Sequence, residues 1–408
     1  MILESILSLP VSTPTKLREI ERLRACAVLM VMSFHSDQWH RMLPEIAQKS
    51  WTGVDLFFVI SGYVVTLSLV RLLPPHAVET SFVAAFARVR PSMRTFYVRR
   101  FFRILPAALA VALFDRELIV HFPDFLQGGA AQWLTEAACI FGGIYNYAFA
   151  FHGEFNMGVY WSLAVEEHFY LLLPILFVVF RTPNRRLLAC IGLGGLSIVL
   201  RMLPSLNDVT MPKDWDKFAS HLRFDTLMAG VALALLADRA RAAKAAPWAP
   251  ILPPWLMRYV LLPAVLVLIA CLPNVAPDAV FHRVGFIALW MLSGVLVVYA
   301  AMDRGYILEL PGLGRLLEYV GSRSYALYLV HVPAEWLEYL ARSHRPRFAE
   351  LVAGAPDFAW RQALAQLAIA LLLAEALHRL VEKPLMAAGR GLIEGWRRRE
   401  TESHPGIA

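Results

Sequence analysis

The segment 23–35, LRACAVLMVMSFH, is apolar almost throughout, yet it has Arg24 near one end and His35 at the other. Apolar runs of this kind recur along the whole chain, at 171–180, 228–237, 261–272, 286–301 and 364–377. A helix that crosses a bilayer needs about 20 mostly apolar residues, and many segments reach that length. The strands of a membrane barrel would instead alternate over short segments. The sequence therefore predicts an all-α, polytopic bundle of transmembrane helices.

The overall composition supports this class. Hydrophobic residues make up 58% of the chain, charged residues 17%, and the mean hydropathy is +0.52, whereas soluble domains carry about 25% charged residues. The four cysteines stand singly in apolar surroundings without the spacing of metal ligands, so buried thiols are expected. We predict neither a metal site nor a tightly bound cofactor.

The distribution of basic residues predicts the topology. Candidate spans centre on 22–39, 53–72, 101–120, 133–150, 159–180, 187–203, 222–238, 258–273, 284–301, 320–340 and 362–381. Short cytoplasmic loops collect Lys and Arg, and five basic segments qualify, at 15–24, 71–103, 181–186, 238–244 and 395–400. All five are cytoplasmic only if one of the eleven segments does not cross. The best candidate is 133–150, so we predict about ten crossings, a re-entrant or interfacial 133–150, and two cytoplasmic termini.

Ionisable residues inside spans are costly and mark functional sites. Arg24 and His35 are eleven residues apart, so on a helix they share a face at a separation of roughly 16 Å. A buried histidine is suited to general base catalysis. Asp55 would lie near the same outer side, where we expect it to contact His35 and orient its ring. The structural alternatives are snorkelling for Arg24, an interhelical hydrogen bond for His35 and a helix cap for Asp55.

Two further segments carry polar groups into apolar helices. In VYWSLAVEEHFYLLLPIL, at 159–176, three consecutive ionisable residues point in different directions, so at least one of Glu166, Glu167 and His168 faces the interior or a wet cavity. An ion pair with an intramembrane arginine is the structural alternative. In GSRSYALYLVHVP, at 321–333, Tyr325 and Tyr328 could be interfacial anchors, whereas His331 in the helix interior is less routine.

A third segment, YVRRFFRILP at 97–106, places Arg99, Arg100 and Arg103 at a cytoplasmic helix start. Guanidinium groups match phosphate oxygens, so these arginines could hold a phosphorylated cytosolic ligand. The positive-inside preference alone would also put arginines here. Nucleic acid is not an expected partner of a cluster held at a bilayer.

At these residues the sequence resembles acyltransferase family 3, the integral membrane O-acyltransferases that act on surface glycans and some small molecules. The motifs occur in the family's order: REIERLRACAVLMVMSFH, GVDLFFVISGYVVT, RRFFRILPA, WSLAVEEHFYLLLPIL, RFDTLMAGVALALL, SYALYLVHVP and VEKPL. They cover about 18–386. The family's usual glutamine or similar residue after the Glu-Glu pair is His168 here.

The resemblance implies one integral membrane acyltransferase domain over 1–408, with its core at 18–386 and a cytoplasmic basic tail at 387–408. It implies that an acyl group, usually acetyl, passes from cytosolic acyl-CoA to a hydroxyl of a glycan or related acceptor beyond a bacterial inner membrane. Acyl-CoA is then a co-substrate, and the partners are membrane lipids, acyl-CoA and the acceptor.

The family's site residues match several positions of this chain. Arg24, His35 and Asp55 take the catalytic positions, and Arg99, Arg100 and Arg103 take the acyl-CoA-binding positions. We assign Glu166, Glu167, Tyr325 and His331 to the acceptor site or its support. The rival hypothesis from another class is a proton-coupled transporter or flippase of a glycan or lipid-linked substrate, because buried His, Asp and Glu side chains also build proton relays. Such proteins are often built from paired inverted halves, and the sequence shows none.

Overall fold

The computed structural model describes residues 17–73, 82–121, 129–152, 155–203, 215–243, 253–271, 279–344 and 359–403, and within these ranges it is helical without strands. The α-helices are α1 (Arg18–Phe34), α2 (Asp37–Met42), α3 (Pro44–Ala47), α4 (Gly53–Leu72), α5 (Phe82–His121), α6 (Gly129–Phe141), α7 (Tyr145–His152), α8 (Tyr160–Val179), α9 (Pro183–Met202), α10 (Trp215–Phe218), α11 (Phe224–Ala242), α12 (Pro254–Leu256), α13 (Leu262–Cys271), α14 (Ala279–Met302), α15 (Leu313–Ser322), α16 (Ser324–His344), α17 (Ala359–Leu377) and α18 (Lys383–Ser403). Short 3₁₀ turns occur at Ser50–Thr52 and Ser220–Leu222, and π-helical turns at Met257–Leu261 and His378–Glu382.

Among the described residues, four helical segments are long and apolar enough to cross a membrane. They are Ser50–Leu72, Tyr160–Val179, Arg283–Met302 and Ala359–Arg399. These segments support an integral membrane protein. The other helices are shorter or more polar, so the count of about ten crossings stays a prediction. Residues 1–16 and 404–408 lie outside the described ranges, and the side on which the termini lie is likewise a prediction.

The segment 133–150 is divided between two short helices. α6 ends at Phe141 and α7 begins at Tyr145, and the turn between them contains Gly143 with a φ of 66°. That left-handed conformation suits glycine, because it has no Cβ to clash with the backbone. Neither helix reaches the roughly 20 residues of a crossing. Two short helices are compatible with a segment that does not cross, and whether 133–150 crosses stays a prediction.

The helices α4 and α11 touch at their backbones. A Cβ atom on Gly62 would lie 2.2 Å from the carbonyl oxygen of Leu227, and one on Gly230 would lie 2.2 Å from that of Val59. Small residues allow this close approach between membrane helices. The start of α11 is therefore held against the buried face of α4.

The start of α1 is fixed by a loop that follows α14. The carboxylate of Glu19 accepts hydrogen bonds from the backbone N–H groups of Tyr306 and Ile307, at 2.9 and 2.8 Å. One turn later, the guanidinium of Arg22 donates to Glu318 of α15 at 2.7 Å. These contacts set the position of α1, and so of Arg24 and His35 along it.

The predicted basic tail is a helix packed on the bundle. α18 continues to Ser403 and contacts α5, with Gly389 placed against the ring of Phe102. Further along, the guanidinium of Arg94 lies 4.0 Å from the centre of the Trp396 indole. Residues 387–403 are therefore part of the fold.

Candidate active site

A cavity of about 140 Å³ lies among α1, α4, α5, α8 and α16. Three of the predicted site arginines line the cavity, Arg24 from α1 and Arg100 and Arg103 from α5. Glu166 on α8 and Tyr325 on α16 also line it. The fold thus brings together residues that are up to about three hundred positions apart in the sequence, among them cations, a carboxylate and a phenol.

The arginines differ in how firmly they are held. The nearest carboxylate oxygen to the Arg24 guanidinium belongs to Glu21, at 3.8 Å. Arg100 lies over the rings of Phe96 and Tyr170, 5.6 Å from each ring centre. These loose contacts leave donors that an anion in the cavity can use.

Arg99 does not belong to this group. Its side chain is exposed, it does not line the cavity, and its charged neighbour is Arg397 of α18. Arg99 and Arg100 are adjacent in α5, so their side chains leave the helix in different directions. The structure therefore places two of the three predicted phosphate-binding arginines at the cavity.

Glu166 is held by a short polar network. The phenol of Tyr170 donates to Glu166 Oε2 at 2.5 Å, and the hydroxyl of Ser61 lies 3.0 Å from the Tyr170 oxygen. Sequence reasoning missed Tyr170 and Ser61. Tyr170 had a usable signal, because it follows Glu166 by four residues and so lies on the same helix face.

The neighbours of Glu166 point elsewhere, as three consecutive helical residues must. A Cβ on Gly143 would lie 3.9 Å from Glu167 Oε2, so this carboxylate faces the turn between α6 and α7. His168 Nδ1 lies 2.6 Å from the hydroxyl of Ser220. Of the Glu-Glu-His group, only Glu166 lines the cavity.

His35 forms a pair with His331. The Nε2 atom of His331 lies 3.2 Å from Nδ1 of His35, and their ring centres are 4.9 Å apart. His331 Nδ1 lies 2.7 Å from the carbonyl oxygen of Tyr328, and His35 Nδ1 lies 3.0 Å from that of Val31. His331 is buried with 1% exposure.

These contacts assign the tautomers of two neutral rings. A carbonyl oxygen only accepts, so His331 Nδ1 carries the hydrogen and its Nε2 is an acceptor. His35 Nδ1 then carries a hydrogen that it shares between Val31 and His331. Nε2 of His35 is left with its lone pair, and it makes no hydrogen bond within the described ranges. This nitrogen has the protonation state that a general base needs.

Tyr328 lies between α8 and the histidine pair and connects the pair to the cavity lining. Its side chain lines the cavity, and its ring centre lies 5.8 Å from that of His331. Its hydroxyl lies 2.5 Å from that of Ser162 and donates to the carbonyl of Val159 at 3.1 Å. Neither His35 nor His331 lines the cavity itself. Tyr328 therefore contacts both the cavity and His331.

The prediction that Asp55 contacts His35 is wrong. Asp55 instead forms an ion pair with Arg223 at the start of α11, and both side chains have no exposure. Beside it, Arg201 Nη2 donates to Asp225 at 2.5 Å. The glycine contact of α4 and α11 brings Arg223 to Asp55. The missed signal was Arg223 itself, an arginine at the head of an apolar helix in RFDTLMAGVALALL.

Tyr325 lies where the cavity meets α5. Its hydroxyl donates to the carbonyl of Ile104 at 2.8 Å, and the guanidinium of Arg103 lies 5.9 Å from its ring centre.

Among the described residues, no group of three or more His, Cys, Asp or Glu side chains could hold a metal ion.

Comparisons with known proteins agree with the motifs. A family model described as an acyltransferase domain matches residues 17–355. The chain is 25% identical to "Peptidoglycan O-acetyltransferase OatA" of Listeria monocytogenes over 91% of its own length and 56% of that protein. It is 27% identical to "Putative peptidoglycan O-acetyltransferase YrhL" of Bacillus subtilis over 91% of its length and 55% of that protein. The chain thus spans about half the length of these relatives. No solved structure matches it.

Proposed function

The chain belongs to acyltransferase family 3, whose acyltransferase-domain model covers residues 17–355, and from that membership we propose the following activity. It transfers an acyl group, acetyl first among the candidates, from cytosolic acyl-CoA to a hydroxyl of a glycan of the cell envelope. The observation that carries this proposal is the cavity lined by Arg24, Arg100, Arg103 and Tyr328, whose ring also contacts His331 of the histidine pair.

The arginines suit the donor. Acyl-CoA carries phosphates at one end and a thioester at the end of a long, flexible arm. Guanidinium groups bind phosphate oxygens, and the contacts of Arg24 and Arg100 leave donors for them. The thioester would then extend through the cavity toward Tyr328, whose displacement would join the cavity to His35.

The histidine pair suits the transfer step. Nε2 of His35 takes the proton of the acceptor hydroxyl as the oxygen attacks the thioester carbonyl carbon. The tetrahedral intermediate collapses, the C–S bond breaks, and the thiolate of CoA takes the proton from the His35 imidazolium. His331 Nε2 accepts the hydrogen of His35 Nδ1 throughout, so it orients the ring and shares the transient charge.

The acceptor proposed first is a peptidoglycan-type glycan. The two relatives described above carry peptidoglycan O-acetylation in their names. Because this chain spans about half of those proteins, we propose the same acceptor class for it as a starting point. Exopolysaccharide and lipopolysaccharide fragments are the alternatives to test beside it.

We also propose that the protein lies in the inner membrane of a bacterium with both termini in the cytoplasm. The basic segments at 15–24 and 395–400 support that orientation, because cytoplasmic segments collect Lys and Arg. A green fluorescent protein fused to the C-terminus is expected to fluoresce. If the fluorescent fusion stays dark and an alkaline phosphatase fused at the same point is active, the C-terminus lies outside the cytoplasm and the proposed orientation is refuted.

The activity is tested with the full chain in lipid nanodiscs, [¹⁴C]acetyl-CoA and a panel of glycan fragments. We expect label to appear on hydroxyls of one glycan class and free CoA to be released in equal amount. If the folded protein neither binds acetyl-CoA nor transfers its label to any acceptor, the proposal that acyl-CoA is the donor is refuted. Transfer to exopolysaccharide or lipopolysaccharide alone would refute only the peptidoglycan acceptor.

A further inference from the structure

The VEKPL segment at 381–385 forms an unusual turn in a long helical stretch. α17 ends at Leu377, residues His378–Glu382 form a π-helical turn, and α18 begins at Lys383. Pro384 has no N–H to donate to the preceding turn, and its ring crowds that turn. A π-turn accommodates the misfit by widening the helix by one residue, and such turns are frequent at functional sites.

The turn directs Glu382 into the bundle. The side chain has 1% exposure, whereas Leu380 and Lys383 on either side are exposed. Its Oε2 atom lies 2.8 Å from His378 Nδ1 and 3.5 Å from Arg103 Nη1. Its other carboxylate oxygen is buried without a hydrogen-bond partner among the described residues. A buried carboxylate is expensive in a membrane protein, and here it faces a cation of the cavity.

The contact constrains one end of Arg103 only. Nη1 is the nitrogen near Glu382, and it also donates to the sulfur of Met386 at 3.6 Å. The Tyr325 ring lies beneath the guanidinium. Nε and Nη2 make no hydrogen bond within the described ranges, although arginine favours two-pronged contacts with anions. The guanidinium is therefore held on one edge and open on the other.

We propose that Glu382 is a positioning residue for the donor site. It holds the Nη1 edge of Arg103 so that the Nε and Nη2 donors face the phosphates of acyl-CoA, and it balances the arginine charge when the cavity is empty. This inference rests on the proposed function, because it assigns the donor's phosphates to Arg103. A brace that only joins α18 to α5 would support folding and leave donor affinity unchanged in folded protein.

The test is equilibrium binding of [³H]acetyl-CoA to the purified full chain in nanodiscs. The variants are Glu382→Gln, Glu382→Asp, Arg103→Gln and the double variant Glu382→Gln/Arg103→Gln. We expect Glu382→Gln to raise the Kd about tenfold, the size of one lost charge-assisted hydrogen bond. Glu382→Asp should be intermediate. The double variant should bind no more weakly than Arg103→Gln alone, because Glu382 acts through Arg103.

The matched control is Glu375→Gln. Glu375 accepts a hydrogen bond from Arg323 at 3.0 Å, so the same substitution breaks an arginine contact on the same long helical stretch, and neither of these two residues lines the cavity. We expect its Kd to equal that of the wild type. The double variant leaves no buried charge unpaired, so it keeps the test available if Glu382→Gln does not fold.

The outcomes separate the inference from the function that it rests on. If Arg103→Gln weakens binding but folded Glu382→Gln or Glu382→Asp binds as the wild type does, the positioning role is refuted. It is also refuted if the loss of binding free energy in the double variant equals the sum of the losses in the two single variants. If Arg103→Gln itself binds normally, the donor site of the proposed function is refuted instead.

Discussion

Nε2 of His331 lies 3.2 Å from Nδ1 of His35, although the two residues are 296 positions apart in the chain. The relay continues from His331 Nδ1 to the carbonyl of Tyr328 at 2.7 Å. His331 takes the place that a carboxylate occupies in the familiar carboxylate–histidine pair. A neutral partner orients the ring without adding a buried negative charge, which is costly in a bilayer.

Replacing His331 with Gln should slow transfer while donor affinity stays unchanged. The amide cannot reproduce both contacts of the ring, so His35 loses its fixed orientation. We expect kcat to fall about 10- to 100-fold, as for other residues that orient a reactive ligand, with an unchanged Kd for acetyl-CoA. His121→Gln is the control, because 65% of that side chain is exposed. An unchanged kcat would remove His331 from the relay.

Replacing His35 with Ala should have the larger effect. Without the base at Nε2, the acceptor hydroxyl must lose its proton to water. We expect the transfer rate to fall by at least about a hundredfold, with normal insertion and normal binding of acetyl-CoA. The measurement is the initial rate of label transfer at saturating donor. A His35→Ala protein with wild-type rates would show that the base lies elsewhere.

Arg100 and Arg99 should differ although they are adjacent. Arg100 lines the cavity and Arg99 does not. We expect Arg100→Gln to raise the Kd for acetyl-CoA about tenfold through the loss of a charge-assisted phosphate contact. Arg99→Gln should change it less than twofold, because exposed charges are screened by salt. If both substitutions change the Kd equally, the arginine cluster serves membrane topology alone and does not bind the donor.

Sequence patterns predicted the parts of the site that depend on periodicity within one helix. Arg24 and His35 lie along one helix, Glu166 faces the interior, and Arg100 and Arg103 reach the cavity. The helical class also followed from the apolar runs. Partners across helices could not be read in this way, because helix packing decides them. Asp55 could equally have met His35 or Arg223, and the Gly62–Gly230 contact selects Arg223.

The same reason explains why Glu382 and its contact with Arg103 were missed. VEKPL was recognisable as a motif, but a helix of regular period gives no sign that residues 378–382 form a π-turn. Pro384 was the available signal, since proline disturbs the preceding turn. The direction in which the turn moves Glu382 depends on α5, which lies far away in the sequence.

Asp55 should act on stability and not on the transfer step. Asp55→Asn leaves the buried charge of Arg223 uncompensated, which should cost about 3–5 kcal/mol of folding free energy. Adding Arg223→Met removes that charge and should recover most of the loss. The measurement is thermal unfolding in detergent by tryptophan fluorescence, with Asp37→Asn as the control because Asp37 is exposed. If Asp55→Asn unfolds as the wild type does but has lost transfer activity, or if the double variant is as unstable as the single one, Asp55 acts in catalysis or through a contact other than Arg223.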